Sequence, residues 1–454
     1  MHKTLSLIAL VVAAPATAQQ IAPPAPTPYH RAIAAGYKAA LYCAGIFNGG
    51  RTPAQIDGQE LRGIYPEYDQ IVPTLKAEID PRAATVSVAF DAILPPRMAS
   101  WTSGAGCTTW PIGYTPPVVP LTHATPPKPK GADPRPWPMG DAGIAPRPSP
   151  TLGTAVGAAF DHATYGKGDT VGVVVLNDGK IVAERYAEGF GPYVSNRTWS
   201  VGKSIAGSLL GIGLARHALT PTTRLALWDK MGDPRGAITY DDVLRMASGL
   251  HSDTAGNRTD AVYFGGTAVS EQVPSWALEA KPGSRFRYAN NDILLAMLSL
   301  HVVESGEAFS AFPARALFAP LGMSHTVAER DWLGDFVISS QIWSTARDLA
   351  RLGQFWLQDG IWAGKRILPA GWMTYMTTPS GPQPESGPGY GATMWLFGPK
   401  QGLPEGSYAA QGNRGQYVMV IPSKKLVIVR RGEDSGSARF DIAKFAVDVT
   451  AAIK

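Results

Sequence analysis

Strand-forming runs stand at both ends of residues 151–454, and helical periods fill the space between them. At the near end, VGVVVLNDG (171–179) and KIVAERYAEG (180–189) are rich in Val and Ile around Asn177-Asp178-Gly179, which reads as a hairpin turn. At the far end, residues 416–422 and 426–431 flank a Ser-Lys-Lys turn, and apolar residues at helical spacing follow (Phe440, Ala443, Phe445, Ala446, Val449). Helical periods cover 203–216, 240–246, 291–303 and 346–358. Strands at both ends must come together to pair. The pattern therefore predicts an α/β domain with an antiparallel sheet built from both of its termini, flanked by helices, and a helical subdomain inserted between.

Upstream, residues 114–150 read YTPPVVPLTHATPPKPKGADPRPWPMGDAGIAPRPSP, too rich in Pro for helix or central strand and too polar for a core. They predict a semi-rigid linker between a small N-terminal domain, 19–113, and the larger region, 151–454. A chain of 454 residues exceeds what one core usually supports, and 45% apolar with 17% charged residues excludes wholesale disorder. The net charge of +5 is spread along the chain and leaves no nucleic-acid footprint.

The chain opens with His2 and Lys3, an apolar run at 5–14, and Ala16-Thr17-Ala18, the pattern of a secretory signal peptide (1–18) cleaved after Ala18. That run is about half the roughly 20 residues a bilayer span needs, and no later stretch reaches that length. The expected location is periplasmic or secreted, with no membrane span. Cys43 and Cys107 are the only two cysteines. In an oxidising compartment they predict one disulfide, with two buried free thiols as the alternative; zinc would need two further ligands.

Ser200-Val201-Gly202-Lys203 begins a helical pattern and is the chain's one S-x-x-K. A separation of three puts both side chains on one face within a turn, so the amine can reach the hydroxyl, and the helix N-terminus favours an oxyanion there. Burial among Ile205, Leu209 and Leu210 would lower the lysine pKa enough for it to act as a base. A second element, Tyr288-Ala289-Asn290, offers a phenol for proton relay and an amide for positioning. Its alternative reading is an N-cap, by Asn290 or Asn291, for the helix DILLAMLSL. A third, Gln411-Gly412-Asn413, is a glycine-bearing turn leading into a strand, where a backbone N–H could join that of Ser200 in an oxyanion hole; an ordinary strand-entry loop is the alternative.

The order S-x-x-K, Tyr-x-Asn, glycine turn, together with MASGL (246–250), LFAPLGM (317–323), STARDLARLGQFWLQDG (344–360) and YGATMWL (390–396), resembles the serine β-lactamases, penicillin-binding proteins and their esterase and nylon-oligomer hydrolase relatives. The resemblance covers about residues 150–454. It implies a β-lactamase-like fold in which Ser200 is acylated, Lys203 and Tyr288 act as base and acid, Asn290 positions, and the N–H groups of Ser200 and Asn413 form the oxyanion hole. No cofactor and no metal are expected. Many β-lactamases and D-Ala-D-Ala peptidases carry Lys-Thr-Gly at the third element to bind a substrate carboxylate, whereas Ala410 and Gln411 stand there in this chain. The expected partner is therefore a small-molecule ester or linear amide. A β-lactamase or D-Ala-D-Ala carboxypeptidase is the alternative, and a penicillin-binding sensor that acylates once is the alternative of another class.

Other features read as structural. Gly211-Ile212-Gly213 lies inside a helical period and lacks the third glycine of a dinucleotide loop; Asp242 completes a capping box with Thr239; and the eight histidines form no H-E-x-x-H motif. His251, close to the SGL segment, reads as a satisfied structural histidine, with a place in the cleft wall as the alternative.

Overall fold

A computed structural model describes residues 26–115, 131–228, 232–252, 259–304 and 306–453; the expected signal peptide and residues 116–130 of the proline-rich stretch lie outside the described residues. The N-terminal segment starts with helix α1 (Pro28–Phe47), capped by the Thr27 side chain with Pro28 in the first turn. Strands β1 (Ala77–Asp80), β2 (Thr85–Val88), β3 (Arg97–Thr102) and β4 (Gly106–Thr109) follow and pair in sequence order as an antiparallel sheet. Helix α1 is apolar nearly all round, which suits only a helix covered on every side. It packs against the small sheet and also meets the rest of the molecule, where the Tyr37 and Phe264 rings lie 3.9 Å apart. Gly36 permits that approach, because a Cβ there would stand 2.0 Å from the Phe264 carbonyl oxygen. A disulfide joins Cys43 in α1 to Cys107 in β4, with Cα atoms 6.1 Å apart.

The larger region runs through α2 (Pro150–Ala158), β5 (Thr170–Asn177), β6 (Lys180–Tyr186), α3 (Val201–Arg216), α4 (Tyr240–Leu244), α5 (Asn290–Val303) and α6 (Ala346–Leu357). It closes with β7 (Gly389–Tyr390), β8 (Trp395–Phe397), β9 (Ser407–Gly412), β10 (Gln416–Ile421), β11 (Leu426–Gly432) and α7 (Ile442–Ala452). The seven strands form one sheet in the order β7-β8-β9-β10-β11-β5-β6. Every neighbouring pair is antiparallel, and β11, from the far end of the chain, pairs with β5 from the near end. This is the α/β architecture that the two-ended strand pattern predicts.

Strand alternation divides the sheet's side chains between two layers. Val173, Val175, Met419, Ile421 and Ile428 pack with α2 and α7 on one side. Val174, Leu176, Val418, Val420, Val427 and Val429 face α6 on the other. Gly353 brings α6 close to the sheet, since a Cβ there would lie 2.4 Å from a Val427 methyl. Helices α3 and α5 pack against each other, and α3 also touches β9.

The residues on either side of the proline-rich stretch share one apolar core, which runs from α1 and the small sheet through α3, α5 and α6. The boundary read at residue 113 thus divides the chain without dividing its core. Charges line the seam: Arg51 pairs with Glu60 at 3.1 Å and lies 3.7 Å from Glu433, which also pairs with Arg414 at 3.3 Å. The described part of the proline-rich stretch lies along the larger region. Arg351 donates to the Pro138 and Gly140 carbonyls, and Trp137 donates to that of Gly179. No helix among the described residues is long and apolar enough to cross a membrane.

Candidate active site

Ser200 is the N-cap of α3, so its hydroxyl stands at the positive end of the helix. The preceding Trp199 has φ of +51°, which is rare for a bulky residue and marks a strained turn. The Arg197 guanidinium, 3.7 Å from the Trp199 ring centroid and bonded to the Ser340 hydroxyl, braces this turn from inside. Lys203 follows one turn along α3 with its side chain buried, and its Nζ lies 3.0 Å from Ser200 Oγ. The same nitrogen donates to Asn290 Oδ1 at 2.6 Å and to the Ser339 carbonyl at 3.2 Å. Burial lowers its pKa to about 7, helped by the Arg197 charge and opposed by Asp292. Asp292 is itself buried, and that burial pushes its carboxyl up to about 7 against the Ser248 hydrogen bonds. Lys203 is therefore a lysine that can be neutral near physiological pH.

Asn290 is the first residue of α5, and the N-cap is Ala289, which makes no side-chain cap bond. This replaces the reading of Asn290 or Asn291 as the cap. The Asn290 amide points inward instead. Its nitrogen donates to Thr259 Oγ1 at 3.1 Å, which turns its oxygen toward Lys203. Tyr288 packs between Tyr390 and Trp395, with ring centroids 6.0 and 5.3 Å away, and the Lys203 nitrogen is 5.0 Å from its own ring centroid. Burial raises the phenol pKa above its ordinary value, and hydrogen bonding with Ser200 and Trp395 pulls the other way. The phenol is thus held neutral beside the serine.

Gly412 ends β9 against Ser200: a Cβ there would lie 2.5 Å from the Thr198 carbonyl oxygen and 3.0 Å from the Ser200 nitrogen. Only glycine lets the strand edge come this near. Ser200, Tyr288, Asn290, Gln411, Gly412 and Asn413 all line a cleft of about 320 Å³, and Lys203 lies beneath it. The remaining lining is Tyr65, Trp199, Tyr263, Ser340 and Trp395, so no charged side chain is among the described residues that line it.

Two features of the site escape a reading of the sequence. Tyr65 comes from the N-terminal segment, and nothing in the local run Gly63-Ile64-Tyr65-Pro66 marks it as a cleft residue. Arg414 follows Asn413 but turns away: it has φ of +55°, is buried, and donates to the Gln59 and Arg62 carbonyls at 2.5 and 3.0 Å. Elsewhere, Gly211 and Gly213 serve helix packing, since Cβ atoms there would strike Trp372 and Leu300 at 2.5 Å. Thr239 and Asp242 form the capping box of α4, and His251 pairs with Glu279 outside the cleft lining.

The β-lactamase family profile matches residues 158–448. A 6-aminohexanoate-dimer hydrolase of Paenarthrobacter ureafaciens is 25% identical over 292 residues, covering 57% of this chain and 71% of that protein. Among solved structures, the chain is similar to EstCE1, a hydrolase with promiscuous acyltransferase activity, at 15% identity and a TM-score of 0.52 over 67% of this chain and 98% of that one. It is also similar to a class C β-lactamase, at 14% identity and a TM-score of 0.50 over 67% and 96%. At these identities the two structures share its fold. Residues 26–115 precede the part matched by the family profile.

Proposed function

The chain belongs to the β-lactamase family, and on that footing we propose that it is an exported serine hydrolase that cleaves esters or neutral linear amides through an acyl-enzyme. The observation that carries this reading is the buried Lys203 nitrogen 3.0 Å from Ser200 Oγ, beneath a cleft whose described lining carries no charge.

In this reading neutral Lys203 takes the Ser200 proton as Oγ attacks the substrate carbonyl. The carbonyl oxygen becomes an oxyanion held by the Ser200 and Asn413 N–H groups. Tyr288 donates its proton to the leaving oxygen or nitrogen as that bond breaks, and is reprotonated by the Lys203 ammonium. Water then repeats the attack on the acyl-enzyme, and Ser200 leaves. Asn290 holds the lysine in line through both steps. A β-lactam or D-Ala-D-Ala peptide would bring a carboxylate into a cleft where no cation is among the described lining residues, which disfavours both. The relatives named for a hydrolase of an aminohexanoate dimer and for acyl transfer support amide and ester chemistry.

The test is intact-mass analysis after treatment with a serine-directed phosphonate, together with turnover of a short-chain nitrophenyl ester. One adduct per chain, absent in Ser200→Ala, and a burst followed by steady turnover are expected. An adduct that persists in Ser200→Ala removes Ser200 from the mechanism, and a burst without turnover identifies a sensor.

A further inference from the structure

The wall of the cleft that lies outside the family match is Tyr65. It stands just before the short helix Pro66–Asp69, in extended backbone (φ −63°, ψ 134°) as a residue preceding proline should be. The loop that delivers it is pinned at three points. Arg414 donates to the Gln59 and Arg62 carbonyls, and the Gly436 N–H donates to the Gly63 carbonyl at 3.0 Å. Gly63 has φ of +61°, and a Cβ there would lie 2.7 Å from the Gly436 nitrogen, so the loop is seated against the larger region as closely as backbone allows. Arg414 also adjoins Asn413 in the chain. The turn that lines one side of the cleft therefore holds the loop that supplies another.

We propose that Tyr65 is a specificity-determining residue, an aromatic wall lent by the N-terminal segment against which an uncharged, flat apolar group of the substrate packs. The proposal rests on the hydrolase reading and adds to it the chemical class of the group recognised. Tyr65 faces a cleft whose other aromatic rings are Trp199, Tyr263, Tyr288 and Trp395, a lining suited to ring-on-ring contact. A volume of about 320 Å³ holds such a group beside the reacting carbonyl. Among the described residues, the lining contains no carboxylate to neutralise a cation and no cation to neutralise an anion. Four of the five rings belong to the family-matched body, and the fifth is present only because the segment is clamped there.

The experiment compares kcat/KM for nitrophenyl phenylacetate, acetate and an ω-aminoalkanoate in the full chain, in Tyr65→Ala and in Tyr65→Phe, with phosphonate labelling of Ser200 followed in parallel. Loss of the ring in Tyr65→Ala is expected to lower the phenylacetate-to-acetate ratio by about tenfold, and Tyr65→Phe to hold it within about twofold. A purely structural role would depress all esters alike and leave the ratio unmoved, which overturns the proposal. A selective loss on the aminoalkanoate overturns it too, because the wall would then be reading a cation. If Ser200 is not labelled in the parent chain, the hydrolase reading falls and this inference with it. Labelling retained with an unchanged ratio removes the role of Tyr65 alone.

Discussion

Asn290 Oδ1 lies 2.6 Å from Lys203 Nζ, nearer than Ser200 Oγ at 3.0 Å, and the third hydrogen-bond partner of that nitrogen is a backbone carbonyl. All three are uncharged. The lysine is thus oriented without being locked as an ammonium, and burial sets its pKa near 7.

The proton on Lys203 is held below about pH 7 and lost above it, so the free base is present on the alkaline side. For ester turnover, kcat/KM should climb as pH rises through about 7 and then level off. Asn290→Asp puts a carboxylate against the amine, favours the ammonium, and should move this limb to higher pH by about one unit or more. Lys203→Ala and Tyr288→Phe should each slow acylation by about a hundredfold in stopped-flow assays. A limb that stays in place in Asn290→Asp would argue against Lys203 as the base.

Gly412→Ala tests the close approach of β9. The added methyl would meet two backbone atoms, the Thr198 oxygen and the Ser200 nitrogen, at 2.5 and 3.0 Å. Neither can swing aside as a side chain would, so the strand edge must retreat from Ser200. Acylation should fall by about a hundredfold, as it does for comparable misplacements near a reacting centre. The phosphonate-labelling rate of this variant, with its circular dichroism spectrum as a check of folding, decides the matter.

Substrate charge is the third test. Ala410 and Gln411 provide no cation, and Arg414 is committed to Glu433 and two N-terminal carbonyls. A nitrophenyl ester should therefore exceed a chromogenic cephalosporin in kcat/KM by at least about a hundredfold, the scale of leaving a buried charge unpaired. Comparable values for the two would show that a carboxylate is bound in some other way.

Reduction of the Cys43–Cys107 bond should lower the stability of the N-terminal segment by about 2–5 kcal/mol. Denaturant unfolding with and without reductant measures this, and alkylation of the unreduced protein should modify neither cysteine.

The parts of the molecule legible in the sequence are those governed by short-range periodicity. The spacing of Ser200 and Lys203 becomes a contact because one helical turn makes it so, and the Val-rich runs at both ends become adjacent strands, apolar on both faces as interior strands of a covered sheet are. Asn290 was legible as part of a motif, but a capping role was equally consistent with its neighbours. What separates the two is Lys203, 87 residues away. Tyr65 gives no signal, and Arg414, which by position could supply a cation to the cleft, gives none of its role in seating the Tyr65 loop. The Arg414 contacts that seat the Tyr65 loop span 352 and 355 residues, and no local pattern encodes a guanidinium bound to backbone carbonyls.

The charged seam beneath that loop bears on how this protein can be dissected or recombined. Cutting the chain ahead of the family-matched region would deprive Arg414 of two carbonyl acceptors and Glu433 of the Arg51 guanidinium, with both charges already out of water. A trimmed chain would begin with a wound beside the Gln411–Asn413 turn, and a chimaera joined at the proline-rich stretch would inherit the same mismatch unless Arg414 and Glu433 travelled with the segment they serve. The natural unit of exchange is therefore a pair of distant pieces of sequence, and the cut that looks cleanest along the chain parts them.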